Sequence, residues 1–251
     1  MIKKYFPPYF AAISIIFCVF IGCELEDPIA GVKSKDVVSL SIEKDGIETD
    51  RIYSNGVDFV NIIAKLGNAS DPNMKVLFKT DNGSFAGIPS DQADKQTFSV
   101  IASGKEARAV LISGVDVAPR VTISAWVEDF TDEKTIEFVR ALPNDLLIES
   151  DKLKIKADNS DKAVITAQLF RDLGKVSTGT RVLFTATAQS DNEVDVYIPQ
   201  WGNSDVNEKV SIEIKGKGEN NTIVVVTATV DKDGGGKLSK SIKIELEGVN
   251  P

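Results

Sequence analysis

The side chains that could carry out chemistry are few in this sequence, and one kind is missing. The 251 residues contain no histidine and two cysteines. A chain without imidazole has neither a Ser-His-Asp nor a Cys-His catalytic arrangement, and it cannot ligate a metal through histidine. No glycine-rich phosphate loop, nucleophile elbow or kinase signature occurs either. The sequence therefore predicts a protein that is not an enzyme and has no catalytic residues.

Acidic residues offer two kinds of chemistry, and both lack a second supporting feature. Asp231 and Asp233 stand before Gly234 with the spacing that begins a calcium loop, in which alternate carboxylates face one cation. No acid follows at the closing position, so a hairpin tip is favoured and the two residues are weak calcium candidates. Pairs among the 37 acidic residues could also hydrolyse glycosides, but a general acid needs a partly apolar cleft. We expect no cofactor.

Three aromatic side chains are the candidates for contact with a ligand or partner. Trp126 falls on the polar side of an alternating strand, residues 121–127, and is expected to point outward. Tyr197 and Trp201 belong to a proline-containing stretch that has the composition of a loop, and loops often carry function. The alternatives are that Trp126 packs under a neighbouring loop and that Trp201 pins its own loop to the protein. Trp201 with Tyr197 is the preferred contact.

The N-terminus has the features of a secretory signal. Lys3 and Lys4 precede an apolar run over residues 9–21, which is shorter than the roughly 20 residues of a transmembrane helix. The stretch Phe20-Ile21-Gly22-Cys23 resembles a bacterial lipobox. This resemblance implies a cleaved signal peptide over residues 1–22, acylation of Cys23, a flexible tether over residues 23–36 and membrane attachment through the acyl chains. The alternative is a secreted protein whose Cys23 is free.

Charge restricts the partners and the location of the protein. Lysine and arginine total 29 against 37 acidic residues, a net charge of −8, which opposes nucleic acid as a partner. The acidic cluster directly after Cys23 resembles the signal that sends lipoproteins of Bacteroidota-type bacteria to the outer face of the outer membrane. It implies a lipid-anchored bacterial outer-membrane protein at the cell surface. A periplasmic location, with an acidic linker that carries no signal, is the alternative.

The remaining chain must position these residues, and its hydrophobic period is two. Apolar residues alternate with polar ones over residues 60–66, and residues 163–169 repeat the pattern 103 positions later. Residues 76–78 match residues 182–184 at an offset of 106, so the second copy has three extra loop residues. A unit of about 105 residues with about seven short strands has the size of an immunoglobulin-like sandwich.

The sequence thus predicts an all-β chain with two tandem immunoglobulin-like β-sandwiches, over residues 37–141 and 145–249. Pro143 stiffens the short linker between them. We therefore expect two sandwiches that lie end to end with restricted bending, and few contacts between them.

The matched segments also resemble a known family. Residues 157–161, 165–169 and 182–184, together with residues 54–58, 76–85 and 121–127 of the first copy, are similar to the bacterial immunoglobulin-like (Big) domains of invasin and intimin adhesins. The resemblance implies a spacer, stalk or binding module. We expect a non-catalytic, lipid-anchored cell-envelope protein that presents two such domains for adhesion or surface assembly to an envelope or extracellular protein or glycan. The alternative is a carbohydrate-binding accessory lipoprotein that presents glycan through exposed aromatics.

Overall fold

The computed structural model describes residues 33–68, 70–89, 91–189 and 194–249. In these ranges one helical turn, α1 (Ser34–Val37), precedes a series of strands, and no helix is long and apolar enough to cross a membrane. The predicted signal peptide and Cys23 lie outside the described residues. The end of the predicted tether is not extended, because it forms the helical turn α1, in which Val37 is buried.

Residues 38–139 form two sheets. One contains β1 (Val38–Lys44), β2 (Ile47–Glu48), β4 (Phe59–Leu66), β6 (Ser84–Phe85) and β8 (Glu106–Ile112), in the order β2-β1-β4-β8-β6. The other contains β3 (Arg51–Tyr53), β5 (Lys75–Thr80), β7 (Thr97–Ile101), β9 (Ala118–Val127) and β10 (Phe130–Val139), in the order β3-β10-β9-β5-β7. Only β3 runs parallel to its neighbour among these described strands.

Residues 145–247 repeat this arrangement. One sheet contains β11 (Asp145–Ser150), β13 (Ala163–Phe170), β15 (Asp195–Tyr197) and β17 (Lys209–Lys217), in the order β11-β13-β17-β15. The other contains β12 (Lys154–Lys156), β14 (Arg181–Ala188), β16 (Trp201–Asn203), β18 (Thr222–Asp231) and β19 (Lys237–Glu247), in the order β12-β19-β18-β14-β16. The short strand β12 is parallel to β19, as β3 is to β10.

Each half buries its own core between its two sheets. The residues predicted to point inward are buried in both halves: Val60, Ile62, Ala64 and Leu66 in the first, and Ala163, Ile165, Ala167 and Leu169 in the second. Phe78 and Phe184 occupy matching positions in the two cores. The prediction of an all-β chain with two sandwiches is confirmed. The boundaries at residues 37–141 and 145–249, within which each half would fold by itself, remain a prediction.

The two halves meet through buried polar groups. Ser54 and Ser177 are completely buried, and their hydroxyl oxygens lie 2.7 Å apart. Ser177 Oγ donates to the carbonyl oxygen of Ser54 at 2.8 Å and accepts a hydrogen bond from the N–H of Ala141 at 2.8 Å. The second half thereby bonds both to the first half and to the linker.

The loop over residues 171–180 makes most of this junction. The carbonyl oxygen of Asn55 accepts a hydrogen bond from Lys175 N–H at 2.8 Å, and the Asn55 side-chain amide donates to the Leu173 carbonyl oxygen at 3.3 Å. Gly174 lies so close that an added Cβ would be 2.6 Å from the Asn55 carbonyl oxygen. The three extra residues of the second copy belong to this loop, which is long enough to reach the first half. The expectation of few contacts between the sandwiches is therefore wrong.

A buried arginine closes the junction. The side chain of Arg171 is 8% exposed and forms an ion pair with Asp233 at 3.0 Å. Its guanidinium lies over the ring of Tyr53, 5.0 Å from the ring centre, and donates to the carbonyl oxygen of Leu142 at 2.5 Å. Arg171 therefore contacts the first half, the linker and the β18–β19 hairpin at the same time.

Candidate functional site

Trp126 lies on the outer face of the first half. Its predicted inward neighbours on β9 are fully buried, whereas Trp126 itself is partly exposed. The indole N–H donates to Ser124 Oγ at 3.0 Å, and the ammonium of Lys79 lies 5.5 Å from the ring centre. The prediction that Trp126 points outward is confirmed.

An open hollow of about 590 Å³ adjoins Trp126, within the range of about 300–1,000 Å³ that is typical of small-ligand sites. Its walls are Met74, Lys75, Leu77, Lys79, Trp126 and Glu128. Three of these walls are consecutive outward positions of β5, which is hydrogen-bonded to strands on both sides. The strand alternation therefore places two ammonium groups and a leucine beside the tryptophan.

The second half has a hollow at the matching place. It measures about 270 Å³ and is lined by Arg181, Leu183, Thr229, Val230, Asp231 and Lys237. Arg181 and Leu183 match Lys75 and Leu77 at the offset of 106, and Thr229 and Asp231 match Trp126 and Glu128 at the offset of 103. These basic residues and leucines were not among the binding candidates predicted from the sequence, although their outward positions follow from the alternation of β5 and β14.

Trp201 adjoins the second hollow from the opposite side. It pairs with Leu183 across β14 and β16, and the guanidinium of Arg181 lies 4.6 Å from its ring centre. The side chain is 49% exposed. In the first half Ser99 is the partner of Leu77 on the side that corresponds to Trp201. Each half therefore has one tryptophan next to the matching leucine, but the two tryptophans lie on opposite sides of that leucine.

Tyr197 and Trp201 do not form one surface. Tyr197 lies on β15 and pairs with Lys215 in one sheet, whereas Trp201 lies on β16 in the other. The chain crosses from one sheet to the other through Pro199 between these strands. Tyr197 is 52% exposed beside a separate hollow of about 510 Å³ that Glu213 and Lys215 also line. The stretch predicted to be a loop thus consists largely of two short edge strands.

The two calcium candidates have other neighbours. The Asp233 carboxylate pairs with Arg171, and its backbone N–H donates to the Pro143 carbonyl oxygen at 3.0 Å. Asp231 pairs with Lys237 across the hairpin. Within the part of the chain that the structure describes, no three histidine, cysteine or acidic side chains are grouped so as to hold a metal. Because the Arg171 guanidinium already pairs with the Asp233 carboxylate, this contact opposes a calcium site there.

Among the described carboxyl groups with a clearly shifted pKa, every shift is downward. Hydrogen bonds from Ser160 and its backbone N–H lower the pKa of Asp158, and the hydrogen bond from Lys162 lowers the pKa of Glu213. A general acid for glycoside hydrolysis needs a raised pKa instead. The described carboxylates are therefore suited to holding turns and pairing with lysines.

Comparison with known proteins shows the fold. No family model and no curated protein matches the sequence. The Yersinia pseudotuberculosis adhesin InvE is similar in structure, with a TM-score of 0.53 and 16% identity, over 84% of this chain and 59% of that one. Invasin, a bacterial integrin-binding protein, is similar with a TM-score of 0.56 and 15% identity, over 85% of this chain and 40% of that one.

The chain thus spans less than two thirds of either adhesin structure. Both similar structures carry bacterial immunoglobulin-like domains. The sandwiches of this chain follow the same architecture, with two domains in tandem. The protein therefore has a fold of two tandem immunoglobulin-like β-sandwiches, similar to that of InvE and invasin.

Proposed function

We propose that this protein is a non-catalytic, lipid-anchored component of the bacterial cell envelope. Acylated Cys23 attaches it to the outer membrane, and the two sandwiches are presented at the cell surface for adhesion or surface assembly. The partner is an envelope or extracellular protein or a glycan.

One observation supports this proposal above the others: the buried junction between the halves. A binding module held away from a membrane works better on a stiff support, because less conformational freedom is lost when a partner binds. Ser54, Ser177 and Arg171 link the halves through buried hydrogen bonds and an ion pair. A junction of this kind is costly to break, since each buried group would lose its partner. The molecule is thus suited to presenting a surface at a fixed distance and angle.

The tether is suited to the same role. Residues 24–33 precede α1 and could span up to about 33 Å if extended. Acyl chains contribute about 0.8 kcal/mol of membrane affinity per buried methylene, so two or more chains give stable attachment. The similarity of the fold to adhesins agrees with a binding role, and the low identity leaves the partner open.

The experiment that tests this proposal follows the protein in bacterial cells. Cells that produce the full chain receive a palmitate analogue and are then treated with protease from outside. We expect label on the protein and digestion of its two sandwiches on intact cells. We also expect these cells to attach to a surface coated with extracellular or envelope proteins and glycans. Cys23→Ser should abolish the label and the attachment.

Cys18→Ser is the matched control, because this thiol lies inside the predicted signal peptide. Its label, surface exposure and attachment should equal those of the unsubstituted chain. Label that survives Cys23→Ser, or cell attachment that does not depend on the protein, would contradict the proposal.

A further inference from the structure

The two matching hollows, beside Trp126 and beside Arg181, are lined by the same kinds of side chain. Each copy combines two basic side chains, one acid and a leucine: Lys75, Lys79, Glu128 and Leu77 in the first half, and Arg181, Lys237, Asp231 and Leu183 in the second. The residues that line each hollow therefore carry one net positive charge, on a chain whose net charge is −8, and Asp94 is the acid that interacts with Lys79 from outside the lining. This pattern favours a ligand with an anionic group.

The strands around each hollow exclude the commonest way of binding a peptide. Peptides often add as a strand to a sheet edge, where backbone groups are free. The central strand of the hollow, β5 or β14, is instead bonded to a neighbour on each side. At Leu77 and Leu183, which have partners on both neighbouring strands, side chains face a ligand and the backbone groups are already paired. The indole of Trp126 and the side chain of Leu77, which pair across β9 and β5, form an apolar platform beside these charges.

A sugar ring that carries an acidic group matches this platform. One face of a pyranose presents C–H groups that pack on an aromatic ring, while its hydroxyls both donate and accept hydrogen bonds. A carboxylate or sulfate on the ring would pair with the ammonium groups of Lys75 and Lys79, and Glu128 would accept from a hydroxyl. The recurrence of the hollow agrees with a polymer in which the same sugar repeats.

The two copies differ in one position that matters for stacking. Thr229 stands in the second hollow where Trp126 stands in the first. A cation lies over both tryptophan rings, but Arg181 is closer to the Trp201 ring centre, at 4.6 Å, than Lys79 is to the Trp126 ring centre, at 5.5 Å. The second hollow is also the smaller, at about 270 Å³. We therefore infer, building on the proposed surface-binding function, that the Trp126 hollow binds an acidic sugar of an extracellular polysaccharide and that the second hollow is a weaker copy.

Affinity electrophoresis tests this inference on the full-length chain purified in detergent. The gels contain polygalacturonate, chondroitin sulfate or neutral galactomannan. We expect at least one of the acidic polysaccharides to retard the protein and galactomannan to leave it unaffected. Trp126→Ala should raise the apparent Kd at least tenfold, and Trp126→Phe should restore most of the affinity. Thr229→Trp should lower the apparent Kd several-fold, because it completes the second platform.

Phe59→Ala is the matched control, since it removes an exposed aromatic ring from the other sheet of the first half. If Trp126→Ala lowers the melting temperature, the double variant Lys75→Gln with Lys79→Gln replaces it and should also weaken binding at least tenfold.

The inference is wrong if neither acidic polysaccharide binds, if Phe59→Ala weakens binding as much as Trp126→Ala, or if poly-glutamate competes as well as the polysaccharide. In each of these cases lipidation and cell attachment, measured separately, would still decide the proposed function.

Discussion

The hydroxyl oxygens of Ser54 and Ser177 lie 2.7 Å apart in the buried junction between the two sandwiches, although the residues are 123 positions apart in the chain. Each hydroxyl also contacts a backbone carbonyl, of Val139 at 2.8 Å for Ser54 and of Ser54 itself at 2.8 Å for Ser177. Buried polar groups stabilise an interface only when each has its partner. The pair therefore specifies one relative placement of the two halves.

Ser177→Ala should lower the free energy of unfolding by about 1–3 kcal/mol, because the buried N–H of Ala141 loses its acceptor. Chemical denaturation measures this change. Ser211→Ala is the control, since the Ser211 hydroxyl bonds to Thr166 at an exposed site, and its effect should stay within about 0.5 kcal/mol. Equal effects of the two substitutions would show that the buried Ser177 hydroxyl contributes no more to the free energy of unfolding than an exposed one.

Gly174→Ala should push the halves apart. Gly174 has a φ of +73°, and an added Cβ would be 2.6 Å from both the Asn55 carbonyl oxygen and a Val57 methyl group. Gly179 lies in the same loop with a φ of +70°, and a Cβ added there would have no atom of the described residues within 4 Å. Both alanines strain the backbone, but only Gly174→Ala should increase the radius of gyration measured by small-angle scattering.

The matching turns after β3 in the first half and β12 in the second half should respond differently to acid. Asp158 Oδ1 accepts hydrogen bonds from the Ser160 hydroxyl and from the N–H groups of Ser160 and Asp161. These bonds hold the pKa of Asp158 below its ordinary value of 3.8. Stability from Asp158 is therefore present above about pH 4 and is lost as the pH falls through its lowered pKa. NMR titration of the carboxyl carbon should show this pKa.

The matching residue of the first half is Asn55, which does not titrate. Its amide also donates to the Leu173 carbonyl oxygen across the junction, and a carboxylate cannot donate. Asn55→Asp should therefore destabilise the protein by about 1–3 kcal/mol at neutral pH. Asp158→Asn, at an exposed turn, is the control and should change stability much less than Asn55→Asp does. The reverse order would contradict this account of the junction.

Phe184→Ala should cost about 3–5 kcal/mol, because the ring is buried in the core of the second half. From the sequence alone, the first half would be expected to melt unchanged. The junction now predicts that the first half also loses stability, since Ser54 and Asn55 lose their partners when the second half unfolds. Calorimetry distinguishes the two outcomes. If the unfolding transition of the first half stays at the same temperature in Phe184→Ala, the two halves are uncoupled.

The fold could be predicted from the sequence because strands with one buried face alternate at period two, and the repeat of that pattern marks two units. The junction could not, because hydrogen bonds between loops more than 100 residues apart leave no periodic trace. Its one signal was the three-residue insertion in the second copy. The sequence also does not indicate that Tyr197 and Trp201 lie in different sheets. They are only four positions apart, but the chain crosses from one sheet to the other at Pro199.

The central claim is that the two sandwiches form one stiff unit. Pulsed electron resonance measures it directly, with spin labels on cysteines placed at the exposed residues Asp129 and Asn220 and with Cys18 and Cys23 replaced by serine. We expect a single narrow distance distribution for the otherwise unsubstituted chain and a broad one after Gly174→Ala. A broad distribution before that substitution would contradict the account, because the junction would then not hold the halves in one arrangement.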